Sequence, residues 1–139
     1  MSRFIALLLL MFLLAAQSCE QVDNAKEHKV WQGTEESFES EFSYQADLVD
    51  DSVILTRSGS TESYSGFVEI NQSGRITEQI YADGRLNGKS IKKSADGSWV
   101  QANYVDGKLD GPMKLFDRSG ELRSTLIYSQ GKLLPSKTQ

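Results

Sequence analysis

The sequence predicts an all-β fold: a single-layer antiparallel β-meander of short hairpins, preceded by a signal peptide and an acidic tether. Three observations carry that expectation. Ten of the eleven glycines lie between Gly59 and Gly131. The stretch Tyr81-Ala-Asp-Gly-Arg-Leu-Asn-Gly88 recurs 23 residues later as Tyr104-Val-Asp-Gly-Lys-Leu-Asp-Gly111, and after a further 24, cut short, as Tyr128-Ser-Gln-Gly-Lys-Leu133. The segments between glycines alternate apolar and polar residues, as half-buried strands do.

Residues 1–18 come first and stand outside the fold. Arg3 is followed by thirteen uncharged residues, Phe4 to Ala16. A settled membrane span needs about 20 apolar residues, so this run reads as an export signal. The junction Ala15-Ala-Gln-Ser-Cys19 resembles the lipobox of bacterial lipoproteins, which implies that Cys19, the only cysteine, becomes the acylated N-terminus. The competing reading is an incidental cysteine beside an ordinary cleavage site. Acyl chains contribute about 0.8 kcal/mol per buried methylene, enough for lasting attachment when more than one is present. Glu20 stands where an inner-membrane retention signal would have Asp. The resemblance therefore implies a cell-envelope lipoprotein of the outer membrane of a Gram-negative bacterium.

Residues 19–47 read as an acidic tether. From Cys19 to Thr56 there are ten acids and two Lys/Arg, and none of those bases lies between Val30 and Thr56. The plain reading is a solvated spacer that anionic head groups repel. The sharper one is a docking strip for a basic partner or for the chain's own sheet, since a spacer has little use for Trp31, Phe38, Phe42 and Tyr44. Phe38 and Phe42, four apart, can share one face of a short helix.

Residues 48–134 form the predicted sheet, and 135–139 a flexible tail. With the leader removed, Leu, Ile, Val and Phe make up 26 of 121 residues, which argues for a thin sheet over a thick core. Two glycine series interleave, one of Gly84, Gly107 and Gly131, the other of Gly74, Gly97 and Gly120. Asp-Gly at 83–84, 96–97 and 106–107 suits a tight turn, with Ser-Gly at 73–74 and 119–120 and Gln-Gly at 130–131 as weaker versions. Spacings of 10 to 13 residues between these glycines leave strands of about 6 to 9 residues. Gly66, Gly88 and Gly111 fall inside strands, where glycine marks a bulge or a close approach. An aromatic such as Tyr81, Tyr104 or Tyr128 is expected across from such a glycine. Pro112 removes a ladder donor, so a bulge or unpaired position is expected there.

These residues resemble a known family. The pattern YxDGxLxG, an apolar strand and a second glycine are similar to the MORN-repeat variant of the YwqK-type antitoxin-component family. Asp51–Arg57 and Tyr64-Ser-Gly-Phe-Val-Glu-Ile70 resemble that family's opening unit, so the likeness runs from about Leu48 to Leu134. Lys89-Ser-Ile-Lys-Lys93 departs from it by replacing an aromatic-rich strand. The resemblance implies a stack of hairpin repeats and an antitoxin-like or immunity-like role.

The inventory argues against an enzyme. His28 is the only histidine, so neither a Ser/His/Asp triad nor a multi-histidine metal site can be assembled, and no catalytic residue, metal or cofactor is expected. Ser90-Ile-Lys-Lys93 contains SxxK, but in a strand. Net charge is −4, and a nucleic-acid partner is not expected. What remains is a membrane-anchored, non-catalytic binding or scaffolding module whose Tyr81, Trp99, Tyr104 and Tyr128 meet a protein partner, a toxin in the immunity-like version. The same aromatics can equally be structural. The alternative is an envelope-structural or lipid-contacting protein, with Lys89, Lys92, Lys93, Lys108 and Lys114 making one face basic.

Overall fold

The computed structural model describes residues 29–49 and 52–135. The leader, Cys19 with the first part of the tether, and residues 136–139 of the tail lie outside them.

The elements follow in the order β1 (Val30–Gly33), α1 (Glu35–Glu41), β2 (Phe42–Ala46), β3 (Val53–Arg57), β4 (Gly66–Gln72), β5 (Arg75–Ala82) and β6 (Arg85–Leu86). Then come β7 (Gly88–Lys93), β8 (Trp99–Val105), β9 (Lys108–Leu109), β10 (Gly111–Phe116), β11 (Leu122–Ser129) and β12 (Lys132–Leu133). One open sheet runs β1-β4-β5-β7-β8-β10-β11-β12, with β6 paired to β5 and β9 to β8. Its neighbours are antiparallel except for β1, which lies parallel to β4. β2 and β3 form a separate antiparallel pair.

The corners set this topology. At Ser73-Gly74, Asp83-Gly84, Asp106-Gly107 and Gln130-Gly131 both residues have positive φ, between 47° and 81°. That is the two-residue turn whose twist matches the strands it joins. Gly97 and Gly120 close longer loops in which only the glycine is left-handed, at 88° and 85°. There Gly97 N donates to Ser94 O and Gly120 N to Asp117 O, each at 3.0 Å. The grading of corners by their first residue is thus corrected. Asp96-Gly97 is not a tight turn, because Asp96 uses its carboxylate to accept from Ser98 N and Oγ at 2.9 and 2.7 Å. Ser73-Gly74 and Gln130-Gly131 are as tight as the Asp-Gly corners.

Beyond each Asp-Gly corner the returning chain pairs twice with a slip between. Tyr81 faces Leu86, but Glu78 faces Ile91; Tyr104 faces Leu109, but Gln101 faces Lys114. In both cases the register moves by two residues. Gly88 and Gly111 sit at the slips with φ 108° and 96°, backbone that an L side chain rarely adopts. Across from Gly66, Gly88 and Gly111 lie Tyr81, Tyr104 and Tyr128. Pro112 falls at the second slip, where β10 is paired with β11 and has not yet met β8.

Three parts of the expected architecture are corrected. The sheet is not antiparallel throughout, it is not one layer over its whole length, and residues 30–46 are not a spacer. Thr34 caps α1, accepting from Ser37 N at 3.2 Å while its own N donates to Ser37 Oγ at 2.8 Å. Thr34 and the strand geometry at Phe42 confine the helix to two turns, and Glu35, Glu36 and Glu39 face water. Phe38 and Phe42 stack at 4.8 Å, and Trp31 meets both edge-on at 5.5 and 5.4 Å. Phe42 in turn meets Tyr64 at 5.0 Å. These rings, with Leu55, Val68 and Tyr81, are the core. Trp31 Nε1 donates to Glu41 at 3.1 Å, and the same carboxylate holds Arg57, whose guanidinium lies 4.5 Å over the Phe42 ring. The acidic segment is therefore an amphipathic cap. Its charge describes only its outer side.

Candidate interaction faces

Side chains alternate across a strand, so the register sorts the sheet into two faces. One carries Tyr81, Tyr104 and Tyr128, each followed on the return strand by its partner Leu86, Leu109 or Leu133. Val68, Val100, Ala102, Met113, Leu115 and Leu126 lie on this tyrosine face too. The opposite face carries Trp99 and Phe116, stacked at 3.8 Å with planes 6° apart. Lys89, Lys93, Lys108, Lys114 and Lys132 are on that side. We refer to it as the lysine face.

The cap covers the tyrosine face only over its first half. Val68 and Leu55 are fully buried there. β3 is stitched to the first Asp-Gly corner: Leu55 N donates to Gly84 O at 2.7 Å, Gly84 N to Tyr64 O at 2.8 Å and Tyr64 N to Leu55 O at 2.8 Å. Arg85 and Asp47 add an ion pair across the same junction. Further along, Val100, Tyr104, Met113, Leu115, Leu126 and Tyr128 stay half-buried, and of the apolar residues on that stretch only Ala102 is buried.

The four aromatics expected to meet a partner therefore separate into three situations. Tyr81 is 4% exposed, shares a 3.2 Å hydrogen bond with Tyr44 and donates to Gln79 at 3.1 Å. It belongs to the core, because the cap closes over it. Tyr104 and Tyr128 stand together on the uncovered half. Trp99 is on the other face, since it is five residues from Tyr104 within β8 and an odd separation reverses the side. Lys92, expected with the other lysines, pairs with Thr77 and Val100 and so lies on the tyrosine face.

Burial pushes the Tyr81 hydroxyl far above the usual phenol range, and its hydrogen bond with Tyr44 adds to the shift. Tyr104 is raised by burial first and then by Tyr128. Desolvation disfavours the phenolate, so these groups act as neutral donors and acceptors with an apolar ring attached. In the sequence Met113 and Leu115 read as an alternating pair of a half-buried strand and not as site residues, and Leu126 is not singled out. Their signal is alternation: odd positions in β10 and even ones in β11 carry the apolar side chains of this face.

Among the described residues, no three His, Cys, Asp or Glu side chains are grouped to hold a metal ion. Nor is any helix there long and apolar enough to cross a membrane. Comparison of the chain with family models, with curated proteins and with solved structures finds no match.

Proposed function

We propose that this chain is a membrane-anchored, non-catalytic binding module, held at the envelope through Cys19 and meeting a protein partner with the uncovered half of its tyrosine face. One observation carries the reading: the cap stops midway. The same sheet face is sealed by aromatic packing around Tyr81 and left half-exposed around Tyr104 and Tyr128. Aromatic residues with a polar tip, framed by Met113, Leu115 and Leu126, are the composition that protein interfaces favour.

The finer reading of the fold belongs with this proposal. Positive-φ glycines one sequence period apart, and the slip that recurs after each Asp-Gly corner, support a MORN-like stack of hairpin repeats. The partner class that this likeness implies is a toxin, which makes the module immunity-like. The test is affinity capture from envelope extracts with the full chain, its Tyr104→Ser/Tyr128→Ser variant and its Trp99→Ser variant. A partner lost only in the double tyrosine variant is the expected result. Capture of nothing, or of a partner indifferent to both tyrosines, defeats the proposal.

A second reading rests on the lysine face. Lys89, Lys93, Lys108, Lys114 and Lys132 share it with Trp99 and Phe116, a combination suited to an anionic lipid surface. Binding to anionic vesicles that disappears in Lys93→Glu/Lys114→Glu and at high salt would favour this face over the tyrosine face.

A further inference from the structure

The cap meets the first hairpin unevenly. Over Val68 and Tyr81 its rings fill the space, but toward the Ser73-Gly74 corner a cavity of about 500 Å³ opens beside the first turn of α1. Its floor follows from the register. Ile70 faces Thr77 and Gln72 faces Arg75 across β4 and β5, all four on the tyrosine face. Ala95 closes the corner end, 3.9 Å from where a Cβ on Gly74 would stand. Glu35, the first residue of α1, supplies the cap side.

Two opposite charges line this cavity without meeting. Arg75 has the neutral Gln72 as its cross-strand neighbour, and Glu78, three residues along the same strand, is on the opposite face of the sheet. Glu35 is not consumed by the start of the helix, because Thr34 and Ser37 close the capping box with hydroxyl groups. Among the described residues neither side chain has a hydrogen-bond or ion-pair partner. The Thr77 hydroxyl and the ammonium of Lys92, which stands beside Thr77 on β7, are uncommitted too. One charge is carried by the helix and the other by the sheet, so the pair is left open.

We infer that this cavity binds a small zwitterion: an amino acid or short peptide with both termini free. Its carboxylate takes the planar fork of Arg75, with Thr77 and Lys92 as further donors, and its ammonium goes to Glu35. An aliphatic side chain then rests on Ile70 and Ala95. A plain anion would leave Glu35 facing like charge, and a plain cation would do the same at Arg75. The volume is in the range of small-molecule sites, about 300–1,000 Å³. The cavity uses neither Tyr104 nor Tyr128, so this inference and the proposed function can fail separately.

Isothermal titration of the full chain with leucine and with alanyl-leucine should give a dissociation constant of about 0.1–1 mM for at least one of them. Binding of leucine alone assigns the site to the free amino acid, and binding of the dipeptide alone assigns it to short peptides. The same ligand with its amine acetylated, or with its carboxylate converted to an amide, should bind at least tenfold more weakly. Arg75→Gln should weaken the intact ligand at least tenfold and leave the amide unchanged; Glu35→Gln should do the same for the intact and the acetylated ligand. Both side chains are exposed, so circular dichroism should match the parent, and the blocked ligands test the charges without any substitution. Failure of both probes to bind at about 10 mM, blocked ligands that bind as well as free ones, or affinity indifferent to Arg75→Gln would each overturn the inference.

Discussion

The capped and open halves of the tyrosine face are built from strands and corners of the same kind but keep their shape by different means. Around Val68 and Tyr81 the sheet has a second layer, and edge-to-face rings from β1, α1 and β2 fill the space above it. Around Tyr104 and Tyr128 no second layer is present among the described residues, and the corners are held by backbone stitches. Gly107 N donates to Leu86 O at 2.8 Å, and Gly131 N to Leu109 O at 2.7 Å. The first half thus draws on burial and the second on register. A thin sheet of low apolar content can persist because the two are continuous: the capped end supplies the stability that later hairpins, marginal alone, extend.

Truncating one leucine in each half gives the sharpest test. Leu55 is fully buried between layers, so Leu55→Ala should cost about 3–5 kcal/mol in urea unfolding. Leu115 is half-exposed on the uncovered sheet, and Leu115→Ala should cost about 1 kcal/mol. Equal losses would mean that the distal half is sealed in solution by something the capped half does not supply.

Corner glycines sharpen the same contrast at smaller cost. Gly84 has φ 78°, and a Cβ there would come within 2.9 Å of Leu55 O and Ile54 Cβ. Gly120 has φ 85° but meets nothing within 4 Å. Both substitutions by alanine incur left-handed strain of about 1–2 kcal/mol, and Gly84→Ala adds about 1–3 kcal/mol of overpacking against the cap. Thermal unfolding should therefore rank Gly84→Ala well below Gly120→Ala. The reverse order would show that corner strain, not the cap, dominates.

The corners were legible because only glycine and a few polar residues tolerate left-handed backbone, so turn chemistry writes itself into residue identity. Positions such as Gly84 and Gly107 could be placed from their spacing alone. The cap was legible only as the sharper of two readings, a strip docked on the chain's own sheet, because net charge reports the solvated side of a segment and says nothing of its other side. In Val30–Ala46 the acids are Glu35, Glu36, Glu39 and Glu41, while the burial signal rests on Trp31, Phe38 and Phe42, too few to outweigh them. The division of the aromatics between faces was legible in part. Trp99 and Tyr104 share β8 at an odd separation, which is enough to part them. The burial of Tyr81 depends on a layer that includes Tyr44, 37 residues upstream, and no local pattern announces it.

The smallest effect lies in the open half, where the loop after β10 is organised by a carboxylate instead of by packing. Asp117 accepts from Ser119 Oγ at 2.6 Å, Ser119 N at 2.9 Å, Glu121 N at 3.0 Å and Arg123 Nε at 2.8 Å. These donors, that of Ser119 first, hold its carboxyl well below its ordinary 3.8, at about 2. A depressed folded-state value means that stability is fully present above the unfolded value and is lost as pH falls through the folded one. The contribution should therefore be complete above about pH 4 and gone by about pH 2. Asp117→Asn keeps an acceptor but not the charge, so its melting temperature should lie modestly below that of the parent at pH 7. The two curves should converge between pH 4 and pH 2, with other carboxylates cancelling in the comparison. Curves that stay parallel through that interval would mean that the loop is fixed by the Gly120 backbone alone, and that this part of the open half does not depend on charge for its shape.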